Sequence, residues 1–318
     1  MKKTEQVKKE LNKQGYKLKY ASEMKVGPKL KTGIFGLDYV LDGGIYQGEG
    51  GHRIEFYGKE NSCKTTFTLY IIKLYQELGK KCVYINAEQS YDVEWAEKIG
   101  VDNKKLLIAD PDTLEQAGNM LSDFIGKYEL IVMDSVPALS PQEEVDGTLD
   151  DKHMASQAKV YSPLTRQIYH ATKDHSPTII FINQLREKVG MVFGNPYNTP
   201  GGRALKHFYN TRIEFTQAKA ITQGVDKEKE TIGMEILLNC RKNKRGRPHH
   251  VAGVDFYLNG FVDNSKSLFY AGIKYGVILR SGNTYEFKDV KAVGQEEFIK
   301  AMEKSWKKAA EEIWKIIK

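Results

Sequence analysis

Four short apolar runs, separated by longer stretches of helical periodicity, constrain this chain more than any other feature. They are Ile54-Glu55-Phe56-Tyr57, Cys82-Val83-Tyr84-Ile85, Leu130-Ile131-Val132-Met133 and Ile179-Ile180-Phe181-Ile182. Runs this short and this apolar are strands buried on both faces. Between them, Thr66 to Leu78, Val93 to Ile99 and Thr113 to Phe124 place apolar residues at helical spacing. The alternation predicts an α/β fold with a mostly parallel sheet flanked by helices. Segments near 212–216, 235–239 and 255–258 alternate apolar with polar residues and are expected to extend one edge of that sheet.

Composition removes several function classes. The 318 residues suggest about two domains at roughly 150 residues each. Cys63, Cys82 and Cys240 lie far apart with no CxxC pair, which excludes a zinc ribbon and a disulfide scaffold. No run approaches the roughly 18 apolar residues of a membrane span, and the start MKKTEQVKKELNKQ lacks the apolar centre of a secretory signal. The expectation is a soluble protein of the reducing cytoplasm, with no membrane partner. Residues 1–31 carry ten Lys against three Glu, which accounts for the whole chain's net +7. A second basic knot is Arg241-Lys242-Asn243-Lys244-Arg245-Gly246-Arg247. Clustered cations suit a polyanion, whose neutralised phosphates release counterions, although a solvated lysine-rich face reads the same way.

The ends read as separate modules. Residues 1–31 are a short basic helix with Val7 and Leu11 one turn apart, then a linker, expected to contact a neighbouring subunit. Residues 32–270 form the core and 271–318 a small α+β carboxyl-terminal domain. In that last part, Gly276 to Phe287 predicts a hairpin around Ser281-Gly282-Asn283. Glu296 to Ile317 predicts one helix, with Phe298, Met302, Trp306, Ala309, Ile313 and Ile317 on its packing face.

The sharpest chemical signal is Gly58-Lys59-Glu60-Asn61-Ser62-Cys63-Lys64-Thr65, which follows the first strand and opens the helix at Thr66. In such a phosphate loop, backbone N–H groups curl around the anion at a helix amino terminus. Lys64 is then the residue for the β- and γ-phosphates and Thr65 a ligand of Mg²⁺. Leu130 to Asp134 is an apolar strand ending in a carboxylate, which delivers Asp134 to the same sheet edge as a second Mg²⁺ ligand. Glu88, at the end of Ile85-Asn86-Ala87-Glu88, is a candidate base for a water attacking the γ-phosphate. Together these residues point to ATP hydrolysis with Mg²⁺.

Further motifs resemble the RecA/RadA recombinase family, in its bacterial and phage branch. They are Thr32 to Asp38 with Gly43-Gly44-Ile45, Asn86-Ala87-Glu88, Asp134-Ser135-Val136, Phe181-Ile182-Asn183-Gln184, and Gly194-Asn195-Pro196 with Gly201 to Lys206. The resemblance spans about residues 31–290 and implies a RecA-like P-loop ATPase core. It implies that Glu88 is the catalytic carboxylate and that Gln184 senses the γ-phosphate. Asp92, Trp95 and Thr66 would lie beside the nucleotide. Segments 146–156 and 185–202 would be the two DNA loops, with Met154, Val189, Phe193, Gly201 and Gly202 among their DNA-binding residues. Lys159, Arg166, Arg186, Lys188 and Arg203 would supply phosphate contacts, which bind without reading sequence. Lys242 and Lys244 match the pair that reaches the neighbouring subunit's ATP, and Arg245 and Arg247 read as a DNA-facing patch. The implied activity is ATP-dependent homologous pairing and strand exchange by a head-to-tail filament on single-stranded DNA, acting on duplex DNA. Single-strand-binding or loader proteins would be further partners.

Three departures stand out. Cys63 occupies the glycine position before the loop lysine, and a thiol at a helix amino terminus beside Lys64 is expected to have a lowered pKa. Pro163 falls inside an expected helix, predicting a kink or a restart with Ser162 as cap and Pro163 at the first position. The amino-terminal helix is short and the sequence closes Lys315-Ile316-Ile317-Lys318 without an acidic run, traits that resemble a phage or mobile-element recombinase. Two competing readings share the phosphate machinery: a RecA-fold hexameric helicase or motor, and a non-catalytic ATP-binding filament or mediator protein.

Overall fold

The structure, a computed structural model, describes residues 2–16, 18–23, 26–147, 156–187, 197–224 and 229–317. The chain opens with α1 (Lys2–Lys13), β1 (Lys29–Leu30), α2 (Phe35–Val40), β2 (Ile45–Tyr46) and β3 (His52–Gly58). Then α3 (Lys64–Glu77), β4 (Cys82–Asn86), α4 (Val93–Ile99), β5 (Leu106–Ala109), α5 (Leu114–Phe124) and β6 (Leu130–Asp134) alternate as strand and helix. After α6 (Gln142–Val145) come α7 (Ser156–Ala171), β7 (Thr178–Gln184), β8 (Arg186–Glu187), β9 (Tyr197–Asn198) and α8 (Gly202–Phe208). Long strands β10 (Thr211–Gln223) and β11 (Glu230–Asn243) lead to β12 (Val251–Tyr257) and β13 (Val262–Asp263). The remainder is α9 (Ser265–Lys274), β14 (Leu279–Ser281), β15 (Thr284–Phe287), β16 (Val290–Val293), α10 (Gln295–Ala301) and α11 (Trp306–Ile317).

The main sheet has nine strands in the order β13-β12-β11-β10-β3-β7-β6-β4-β5. From β10 to β5 every pairing is parallel, and β11, β12 and β13 add antiparallel ribs at one edge. The four apolar runs are its centre, and successive residues feed opposite faces. Tyr84, Val132, Ile180 and Ile182 join Phe67, Ile71, Ile72 and Tyr75 of α3 in one core. Val83, Ile85, Ile131, Met133, Ile179 and Phe181 join α5 and α7 in the other. Each such side chain contributes about 1.5–3 kcal/mol of burial, so the sheet's centre is fixed from both sides. The edge strand β5 lacks a sequence signal because only Leu106 of its four residues is buried.

Two expectations are corrected. The helix α7 runs through Pro163 without restarting. Ser162 and Pro163 are exposed, so the carbonyl that loses a donor faces water, while Tyr161, Leu164 and Ile168 bury both halves of the helix against one core. The helix expected over 296–317 is two, α10 and α11. Phe298, Met302 and Ala309 serve a small separate core with Phe269, Tyr285 and Phe287, whereas Ile313 and Ile317 join the main one. The break at 302–305 turns the chain from one core to the other. The expected hairpin forms as β14–β15, and β16 makes it a three-stranded sheet. Among the described residues no helix is long and apolar enough to cross a membrane.

Candidate functional site

Four neighbouring strands, β3, β7, β6 and β4, end at one edge of the sheet and present Gly58, Gln184, Asp134 and, two residues past its strand, Glu88. A Cβ on Gly58 would fall 2.2 Å from the Phe215 carbonyl oxygen, so only glycine lets the loop leave β3 here. Lys59, Glu60 and Asn61 form the exposed tip, and Asn61 and Cys63 both take left-handed backbone, φ 57° and 62°. Lys64 opens the 14-residue α3, whose first N–H groups have no intrahelical partner. The Lys64 ammonium donates to the Lys59 carbonyl at 2.6 Å and the Ser62 hydroxyl at 3.2 Å. Burial lowers its pKa, opposed by Asp134 and Glu88.

The Cys63 expectation reverses. Its Sγ lies 3.6 Å from Met234 Sδ on β11, and burial pushes the thiol up to about 12 despite Lys64. Proximity to a cation lowers a thiol's pKa only while water supports the thiolate.

Asp134 is buried and accepts the Thr65 hydroxyl at 2.9 Å and the Tyr84 hydroxyl at 2.5 Å. Burial raises it to about 6, the Glu88 charge adding to the rise and Lys64 opposing it. Among the described residues no three His, Cys, Asp or Glu side chains gather into a metal cage. A hydroxyl and one carboxylate beside a phosphate loop are instead the oxygen donors that Mg²⁺ shares with substrate phosphates, and they fit it. Beside the loop, a cleft of about 380 Å³ is lined by Cys63, Lys64, Thr65, Thr66, Trp95 and Phe256. Trp95 Nε1 donates to the Thr66 hydroxyl at 3.3 Å. Asp92 caps α4 by accepting the Trp95 backbone N–H at 2.9 Å, which fixes the start of the helix that carries the indole.

The Glu88 carboxylate is held from two sides through Oε1, which accepts the Gln184 side-chain amide at 2.7 Å and the Ser135 hydroxyl. Its backbone N–H donates to the Asp134 carbonyl at 3.1 Å. Candidate base, candidate metal aspartate and candidate sensor are therefore one bonded group. Lys242 and Lys244 lie elsewhere. Lys242 pairs with Arg212, which pairs with Glu55, three residues before Gly58 and two strands away. That separation is about 14 Å at ordinary strand spacings, beyond a lysine's reach. Their ammonium groups instead meet carbonyls at the end of α8, Lys242 at His207 (3.1 Å) and Lys206, Lys244 at His207 (3.3 Å). Burial, with Lys244 and Arg212 adding, lowers Lys242 to about 8.

Residues 2–262 match the model of the RecA N-terminal domain. The chain belongs to the RecA family. Protein RecA of Caldanaerobacter subterraneus is 37% identical over 287 residues, covering 89% of this chain and 82% of that protein. Protein RecA of Rickettsia massiliae is 35% identical over 307 residues, covering 93% and 88%. The crystal structure of the RadB recombinase superposes with a TM-score of 0.53 over 73% of this chain and 98% of that one, at 16% identity, a likeness of fold alone.

Several residues expected of a RecA-family DNA surface are placed. Arg186 is exposed in β8, which pairs with β9 and zips the base of the second loop. Gly201 and Gly202 take positive φ (90° and 69°) as the chain enters α8. Lys159 and Arg166 are exposed along one side of α7, Lys159 within 3.6 Å of Glu143. Met154, Lys188, Val189 and Phe193 lie outside the described residues, as does the side chain of Arg203. Arg245 and Arg247 also have partners within the chain. Arg245 stacks on Tyr46 at 4.1 Å and donates to the Gly51 carbonyl at 2.9 Å. Arg247 pairs with Asp42 at 2.7 Å and donates to the Ile317 carbonyl at 2.8 Å, holding the carboxyl-terminal helix to the core.

The sequence reading missed a buried polar group in the sheet's centre. Glu55, wholly buried, pairs with Arg212 and accepts the Asn183 amide at 2.9 Å. Its one sequence signal is a carboxylate inside the apolar run Ile54 to Tyr57.

Proposed function

We propose that this chain is an ATP-dependent homologous recombinase that polymerises on single-stranded DNA and pairs it with duplex. RecA-family membership supports a recombinase and implies a DNA-dependent ATPase, and the soluble cytoplasm is its expected place of action. The observation that carries the reading is the bond between Glu88 and Gln184, because Gln184 is also the last residue before the second loop. A change at the γ-phosphate is thereby passed to the segment that would meet DNA.

In this reading Lys64 and the first N–H groups of α3 hold the phosphates. Thr65 and Asp134 would hold Mg²⁺, which when bound offsets the charge of the β- and γ-phosphates. Glu88 orients the attacking water and accepts its proton. Among the described residues no bond falls on its Oε2, which is the free oxygen for that task. Lys242 and Lys244 serve the next subunit's ATP, as a cation supplied in trans. Such head-to-tail contacts do not close and so build a filament.

Steady-state ATPase with and without single-stranded DNA, followed by strand exchange between homologous substrates, tests the proposal. Hydrolysis that ignores DNA, or rings rather than filaments in electron micrographs, would favour a helicase-type motor. ATP binding without turnover would favour a mediator.

A further inference from the structure

A buried ion pair in the middle of a sheet is a poor way to gain stability, since well-packed apolar residues of the same volume do as well or better. Glu55 sits between the buried Ile54 and Phe56, where another apolar side chain would fit the pattern. What the pair provides is direction, and its bonds form a path. Glu55 Oε1 accepts from Asn183 Nδ2, and Oε2 accepts from Arg212 Nε. Asn183 also accepts the Gln184 backbone N–H at 3.0 Å through Oδ1 and donates to the Pro200 carbonyl at 3.4 Å. Arg212 Nη2 donates to the Thr199 hydroxyl at 3.2 Å. Gln184 closes the path on Glu88.

We propose that Glu55 and Arg212 are positioning residues that couple the nucleotide edge of the sheet to the far stem of the second loop, at Thr199 and Pro200, and to Lys242. The loop leaves the core at Gln184 and returns at Thr199, and this network holds both stems without depending on the segment between them. Arg212 is also the direct cross-strand partner of Lys242. One buried pair thus stands between a subunit's own nucleotide, its DNA loop and the cation it lends to its neighbour. The Tyr209 hydroxyl is wholly buried, has no hydrogen-bond partner among the described residues, and lies within electrostatic range of Glu55. A buried orphan donor beside a network is what a second arrangement of that network would use.

The inference rests on the recombinase reading, and the test separates the two. Glu55→Gln keeps the shape but turns one acceptor into a donor facing Asn183 or Arg212. With fluorescent ATP analogue, binding should stay within about 2-fold, while stimulation of turnover by single-stranded DNA falls about 10-fold or more, a usual size for site-to-site coupling. The Hill coefficient for ATP should fall toward one. Thr199→Val, which removes the Arg212 contact to the loop stem, should weaken DNA stimulation in the same direction by a smaller factor, and it serves as the measurement if Glu55→Gln fails to fold. A variant that melts earlier yet keeps wild-type DNA stimulation and Hill coefficient would reduce the pair to a structural role and overturn the proposal. Wild-type protein without any DNA-stimulated turnover would overturn the recombinase reading itself, and this proposal with it.

Discussion

The two ends of the parallel strands are built on opposite plans. At the carboxyl end, Gly58, Thr65, Glu88, Asp134 and Gln184 are bonded to one another or to their own loop, and the charges are mixed. Toward the amino end of β10, where Lys242 pairs with Arg212, Lys242 and Lys244 stand on α8 carbonyls with like charge beside them. One end has the form of a phosphate receptor and the other of a cation donor. Neither completes the other inside one chain, because the strand register keeps them about 14 Å apart. Under the proposed function, a chain of this kind would complete its site by stacking head to tail.

The largest effects should come from breaking one end at a time. Lys64→Ala should abolish turnover, since the phosphates lose their anchoring charge. Lys242→Ala with Lys244→Ala should abolish it separately, through loss of the cation in trans. Mixed at random, the two dead proteins leave about a quarter of head-to-tail junctions with both parts intact. DNA-dependent ATPase should therefore reappear at or below that fraction of wild type. Silence from a mixture that co-assembles on DNA would return both lysines to their own subunit as DNA contacts.

Within the receptor end, Glu88→Gln replaces the proton acceptor with a near-isosteric amide. Turnover should fall by about 10²-fold or more while ATP and DNA binding survive. Near-normal turnover would leave Glu88 as a brace for Ser135 and Gln184.

The difference between the ends also separates what a sequence discloses from what it hides. The receptor end was legible because its chemistry is local: a glycine-to-threonine loop after an apolar strand, and a carboxylate closing another. The sheet's centre was legible because Val83 and Tyr84, or Ile131 and Val132, are apolar on both faces. What escaped depends on residues distant in sequence. Glu55 and Arg212 are 157 positions apart, and the Cys63 thiol is governed by Met234, 171 positions away. The partners of Arg245 and Arg247, namely Tyr46, Asp42 and Ile317, are likewise remote in sequence. The exposed face of α7 excuses Pro163, and two cores rather than one break the final helix.

At the donor end, the lowered pKa of Lys242 predicts a pH dependence. A lysine at about 8 is charged at neutral pH and loses its proton as the pH rises through 8. At subsaturating ATP, kcat/KM should fall above pH 8, by about 10-fold near pH 9, if this cation acts on the neighbour's phosphates. Lys242→Arg keeps its charge over that range and should flatten the alkaline limb. A limb unchanged by Lys242→Arg would assign it to another group.

The smallest effect belongs to Cys63, which stands where the phosphate-loop pattern has glycine. With φ at 62°, the backbone favours glycine, and a side chain there costs about 1–2 kcal/mol. The Sγ contact with Met234 and the partial burial of the thiol return a similar amount, about 1 kcal/mol. Cys63→Gly should therefore move stability by no more than about 1 kcal/mol in either direction, measured by chemical denaturation. Cys63→Val places a β-branched side chain in left-handed backbone and should cost more, about 2 kcal/mol. With its pKa near 12, the thiol should label slowly with maleimide at neutral pH. Rapid labelling would show that the thiol leaves Met234 for water. The receptor end would then be more open than its bonding pattern indicates, and the contrast with the donor end correspondingly weaker.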